Sequence, residues 1–346
     1  MRKLLRILTL VVILSVPVSA VEYTAPQAPP EVSDLMPVET ESFSDGLLKI
    51  IKNAISDFRP QIAGCIKTCL SVLTVVMVMA VLVQMPSGTK MTVEFAGCLA
   101  VALILMDGAH SMIRLGAQTV TTLSEYGKLL LPVMTGAMAA QGGTVSSAAL
   151  YTGTAAFDAV LSSAISNLLV PMVYMFLVLS IAAATTGQSM LNKLRELIKG
   201  LMSWGLKTVL YIFTGYISIT GVISGTTDAA ALKATKLTVS GMVPMVGGIL
   251  SDASEAVIVG AGLMKNAVGI YGVLAIFAIW ISPFMQLGLQ YLLLKLTAAV
   301  CEVFEIKPVT ELIRSFSAAM GLLLGMTGSV CFLLLVSMVC FMRGVG

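Results

Sequence analysis

Residues 243–269 read VPMVGGILSDASEAVIVGAGLMKNAVG, and the fold turns on where that stretch is placed. Asp252, Glu255, Lys265 and Asn266 stand there among Gly, Ala, Val, Ile and Met. In a soluble protein this would be a loop and a turn. In a membrane protein each of those groups needs a partner or water. Composition decides between the two: the chain is 57% hydrophobic and 11% charged, with a mean hydropathy of +0.96. An ordinary soluble domain has roughly 25% charged residues. Several runs exceed ~18 apolar residues, enough to cross the ~30 Å hydrocarbon core as helices. The chain is therefore an all-α polytopic membrane protein. Its net charge of +3 is small and its basic residues are spread among loops, so no nucleic-acid partner is indicated.

Working outward to the N-terminus, residues 1–20 have the pattern of a signal peptide. Arg2, Lys3 and Arg6 precede the apolar run Ile7 to Val16, and Val18-Ser19-Ala20 supplies small residues for cleavage. Residues 21–42 then form an acidic, proline-rich extracytoplasmic segment, too polar to build a core and expected to be extended. From 43 to 60, Phe43, Leu47, Leu48, Ile51, Ile55 and Phe58 share one helical face, the pattern of an interfacial amphipathic helix. Residues 61–346 form the polytopic domain.

Six spans are expected there: about Ile62 to Gln84, Val93 to Ile113, Leu161 to Thr185, Thr208 to Ser224, Val268 to Leu294 and Ala318 to Phe341. Two further apolar segments, Leu129 to Tyr151 and Gly241 to Met264, are interrupted by Pro132, Gly142-Gly143, Pro244 and Gly247-Gly248. They read as re-entrant hairpins, because irregular backbone at membrane depth survives only inside protein or beside water. With the mature N-terminus outside, the loop carrying Lys193, Arg195, Lys199 and Lys207 falls in the cytoplasm, as the positive-inside rule requires. An internal duplication is also visible, with repeats at about 93–185 and 204–297. Pro132 and Pro171 are spaced like Pro244 and Pro283, and "ELIKG" from Glu196 is echoed by "ELIRS" from Glu311. Repeats of this kind place transporter sites at broken helices.

The opening stretch becomes the hairpin of the second repeat. There Asp252, Glu255, Lys265 and Asn266 either line a pathway or docking site, or mark a solvated hairpin tip. A second group, Asp107, His110 and Arg114, is spaced i, i+3, i+7 at the end of the second span. It reads either as a proton relay or as a helix-end ion pair with Arg114 snorkelling outward. The six cysteines lie in or beside apolar helices without Cys-x-x-Cys spacing, and with one histidine no metal site is expected. "GLMSWGLKT" at Gly200 to Thr208 nearly matches a phosphate-binding loop, but its lysine comes one residue late and no strand precedes it. Neither an enzyme nor a cofactor is expected.

The polar extracytoplasmic start and "ALKATKLTVSGMVPMVGGILSDASEAVIVGAGLMKNAVGIYG" resemble the stage III sporulation protein AE family of spore-forming bacteria. The "VPxVGGxLSDA" and "KNAVG" pieces carry the resemblance, which extends more loosely from about Phe43 to the C-terminus. It implies a permease-like subunit of the channel or export complex connecting mother cell and forespore, placed in the mother-cell membrane around the forespore. Implied partners are the other stage III sporulation A-operon membrane proteins and their ATPase, and indirectly the forespore stage II sporulation protein Q. No catalytic residue carries over. Pro244, Gly247, Gly248, Asp252, Lys265, Asn266 and Gly269 carry over as motif residues without a role. The residues alone leave two other readings open, an ion- or proton-coupled secondary transporter and a membrane scaffold.

Overall fold

The computed structural model describes residues 25–35, 43–84, 90–242 and 247–343, with side chains except at 31, 34–35, 57, 59–61, 220–265 and 343. The expected signal peptide lies outside these residues, as does Pro244. Every regular element described is helical: α1 (Phe43–Val83), α2 (Lys90–Ala140), α3 (Thr144–Ala164), α4 (Val170–Thr186), α5 (Ser189–Met242), α6 (Gly247–Glu302) and α7 (Lys307–Arg343). A 3-10 turn, Pro30–Leu35, precedes them, and a π-helical turn, Ile165–Leu169, joins α3 to α4. Helices are the only open-chain elements that satisfy their own backbone in lipid. The polar residues fit because their hydroxyls bond back to the preceding turn: Thr119 to the Leu115 carbonyl at 2.7 Å, Ser180 to Phe176 at 2.6 Å and Ser337 to Leu333 at 2.9 Å.

Breaks fall at glycines more than at prolines. The sequence places an interruption at Pro132, but α2 runs through it to Ala140. The chain turns at Gln141-Gly142-Gly143, the second interruption expected there, where Gly142 takes φ +95°, a backbone state that L side chains rarely adopt. Pro283 likewise sits inside α6. Pro171 too lies inside a continuous helical run, just after the π turn that joins α3 to α4. Gly187 ends α4 at φ +68°, its N–H bonded to the Ala183 carbonyl at 2.9 Å. The expected interfacial helix and first span form one continuous helix, α1.

Long passes result. At 1.5 Å per residue, the 51 residues of α2 extend about 76 Å. The segment expected as the first re-entrant hairpin is the closed end of the α2–α3 hairpin. Residues 90–186 form one such long hairpin, and in the second half two long helices, α5 and α6, follow one another, with 243–246 between them outside the described residues. Among the described residues, five segments are long and apolar enough to cross a membrane: Ile62–Val83, Lys90–Ala140, Thr144–Thr186, Asn266–Glu302 and Lys307–Met342. The fourth expected span, Thr208–Ser224, falls on α5, where side chains are described only to 219.

The core gathers around α7. Leu312, Ile313, Phe316, Met320, Leu323, Val330, Leu334 and Met338 are buried on several sides of that helix, against α6, α2, α4, α3 and α5. Close approach needs small residues: a methyl group at Gly272 would lie 2.6 Å from Leu130. The segment before α1 is not simply extended. Pro26 accepts a hydrogen bond from the Tyr126 hydroxyl at 3.3 Å, and the Ala28 N–H donates to the Tyr271 hydroxyl at 3.4 Å. Val32 is buried beside them. Backbone groups and one valine dock the segment.

Candidate functional site

At the end of the bundle opposite that segment, the N-terminal turns of α5 meet the junction of α6 and α7. Arg195 is the centre of the cluster, with a side chain only 12% exposed. Its Nη1 donates to the Ser315 hydroxyl at 3.2 Å, while Nη2 lies 3.5 Å from Glu196 and 4.0 Å from Glu311. Its Nε has no partner among the described residues. Ser315 in turn donates to the Glu311 carbonyl at 2.8 Å, so arginine and serine are locked together. Lys199 pairs with Glu196 at 3.7 Å, and Arg314 pairs with Glu302. Between these charges lies an open cavity of about 530 Å³ whose wall includes Lys199, Lys295, Glu302 and Arg314. Exposed ion pairs of this kind contribute only ~0.2–1 kcal/mol each, so they leave the basin's charges available to an incoming group.

This basin joins two parts of the sequence that were read separately. "ELIKG" and "ELIRS" pack at one end of the bundle, with Arg195 between Glu196 and Glu311. The segment expected in the cytoplasm from its basic residues packs there against the α6–α7 junction.

Deeper in the bundle is a polar seam that the sequence reading missed. Asp158 on α3 is 2% exposed and accepts a hydrogen bond from the Ser124 hydroxyl of α2 at 2.6 Å. Its Oδ1 has no partner among the described residues. One turn earlier on α3, Thr154 is bonded to Ser337 of α7 at 2.8 Å, both fully buried. The signal was present as a lone acid in "TAAFDAVLSSA". No periodicity shows that α2 and α7 supply its neighbours.

Of the charged and polar site residues proposed from sequence, only Asp107, His110, Arg114 and Asn266 have described side chains. Asp107 and His110 are exposed on α2, and His110 Nδ1 is hydrogen-bonded to the Tyr174 hydroxyl of α4 at 2.8 Å. Asn266 is exposed on α6. The side chains of Asp252, Glu255 and Lys265 lie outside the described residues, although their backbone belongs to α6. Gly247 and Gly248 open α6.

Residues 32–344 match the family described as stage III sporulation protein AE. The chain belongs to the stage III sporulation protein AE family. A curated member, stage III sporulation protein AE of Bacillus subtilis (strain 168), is 27% identical over 207 residues, covering 60% of this chain. The alignment spans 52% of that relative's length. No solved structure matches. The family match takes in the basin, the seam and the 243–269 stretch alike. As a member of this family the chain is a sporulation protein, and its long apolar helices make it a multi-pass membrane protein.

Proposed function

We propose that this chain is the permease-like, non-catalytic membrane subunit of a channel or export complex between mother cell and forespore, needed for forespore development after engulfment. In this reading it sits in the mother-cell membrane around the forespore. It works with the other membrane proteins of the stage III sporulation A operon, takes its energy from their ATPase, and meets the forespore stage II sporulation protein Q indirectly across the gap. The observation that carries the reading is the charged basin: a family member gathers both of its charged cytoplasmic-type loops around a half-open cavity, where a soluble partner can engage Lys199, Lys295, Glu302 and Arg314. A basin of mixed sign suits partner selection, because complementary charge governs which surface docks more than how tightly.

The test is a clean deletion in the source organism, scored for heat-resistant spores and late forespore gene expression. The deletion is complemented with wild type, with Lys199→Glu/Arg314→Glu, and with Asp252→Asn/Glu255→Gln. Arrest after engulfment, rescued by wild type and not by the basin variant at equal protein level, is the expected outcome. Normal sporulation of the deletion strain would overturn the reading. Failure of the Asp252/Glu255 variant alone would move the site to the 243–269 stretch and favour a coupled transporter.

A further inference from the structure

Asp107, His110 and Arg114 occupy one exposed face of α2, two turns long. Their depth follows from what α2 packs against. His110 bonds to Tyr174, a methyl group at Gly108 would come 3.9 Å from the Gln290 amide nitrogen, and one at Gly116 would come 3.3 Å from Leu323. Tyr174, Gln290 and Leu323 all belong to expected spans, on three different helices. The face therefore lies at membrane depth, on the outside of the bundle. Leu103, one turn before Asp107 on the same face, is 76% exposed.

Lipid is a poor occupant for this face. An Asp or Arg at the bilayer centre costs at least ~2.5–3.5 kcal/mol unless it faces protein, water or a partner charge. Among the described residues neither Asp107 nor Arg114 forms an ion pair, and His110 engages only Tyr174, through Nδ1. Outward snorkelling of Arg114 runs against the helix. Side chains tilt toward the helix N-terminus, and for α2 that is the Lys90 end, on the same side as the basin. A second copy fits no better. In a two-fold pair about the membrane normal, parallel α2 helices bring Asp107 level with Asp107 and Arg114 level with Arg114, like charges in a medium where repulsion is strong. An inverted copy would violate the loop-charge bias.

We propose that this face of α2 docks a membrane-crossing helix of a different protein, one carrying a basic side chain level with Asp107 and an acidic one level with Arg114. His110, held by Tyr174, offers Nε2 to the same helix. The inference depends on α2 crossing the membrane and not on the sporulation role.

Photocrosslinking of the full chain tests it, with benzoylphenylalanine in place of Leu103. The chain is irradiated in membranes of the source cells and, purified, in proteoliposomes. The expected result is an adduct in native membranes whose cross-linked peptide lies in a hydrophobic span of another protein, with a basic and an acidic residue two turns apart. Asp107→Lys and the isosteric pair Asp107→Asn/Arg114→Gln should each lower its yield about tenfold or more, as loss of a buried charge pair does. Adducts with lipid only, or with a second copy in either preparation, overturn the proposal. So does a yield unchanged by the substitutions. Should Asp107→Lys fail to accumulate, the neutral pair decides, and the proteoliposome arm does not depend on spore formation.

Discussion

Ser124 is the one hydrogen-bond partner of Asp158 among the described residues, and that makes a small hydroxyl structurally expensive to lose. Removing one member of a buried polar pair costs the desolvation of the other, ~1–3 kcal/mol and more when that group is charged. Ser124→Ala should therefore lower the thermal midpoint of the detergent-solubilised protein clearly. Ser163→Ala, which alters an exposed bond to Asn167, should leave it nearly unchanged. Equal midpoints for the two variants would show that Asp158 finds another partner. Arg195 follows the same logic with a different shape. Its guanidinium reaches Ser315, Glu196 and Glu311 at once, which the single ammonium of a lysine cannot copy.

At the scale of elements, the glycine turns bear more weight than the prolines. Gly142 closes the α2–α3 hairpin in a conformation that costs a residue with Cβ roughly 1–2 kcal/mol. Gly142→Ala should be destabilising by about that amount in thermal unfolding. Gly64→Ala is the control: Gly64 sits within α1 with nothing near its Cβ direction, and the change should be neutral or slightly stabilising. The reverse order would mean that the hairpin turns elsewhere. Pro132 and Pro283 remain inside helices because neighbouring helices and hydroxyls can make good a freed carbonyl in a membrane bundle. This is why, of the two interruptions the sequence offers in that segment, the glycine pair makes the turn and Pro132 does not.

For the whole molecule, the bundle has two dissimilar ends. One holds the basin and the α6–α7 junction; the other holds the segment at 25–35, clasped by Tyr126 and Tyr271. On the loop-charge reading the basin faces the cytoplasm. A cysteine introduced at Lys307 should react with an impermeant maleimide only after cells are opened, and one at Ser33 should react in intact protoplasts. The opposite labelling would invert the topology and remove the basin from any cytoplasmic partner. The basin, the seam and the charged face of α2 occupy three different places, so one set of substitutions at each separates docking of a soluble partner, interior packing and association within the membrane.

The sequence by itself determined that this is an all-helical membrane protein with several long apolar helices. It also determined the family, because apolar run length, loop charge and the "VPMVGGILSDA" and "KNAVG" motifs are local properties. It located Asp107 and His110 but left their surroundings open. Only the tertiary structure decided that Arg195 lies between Glu196 and Glu311, that Asp158 meets Ser124, and that the acidic N-terminal segment docks through its backbone. Each of those depends on which helices become neighbours. In a chain where nearly every face is apolar, hydrophobic periodicity carries little information about that choice, and close approach at glycines and buried hydrogen bonds make it instead.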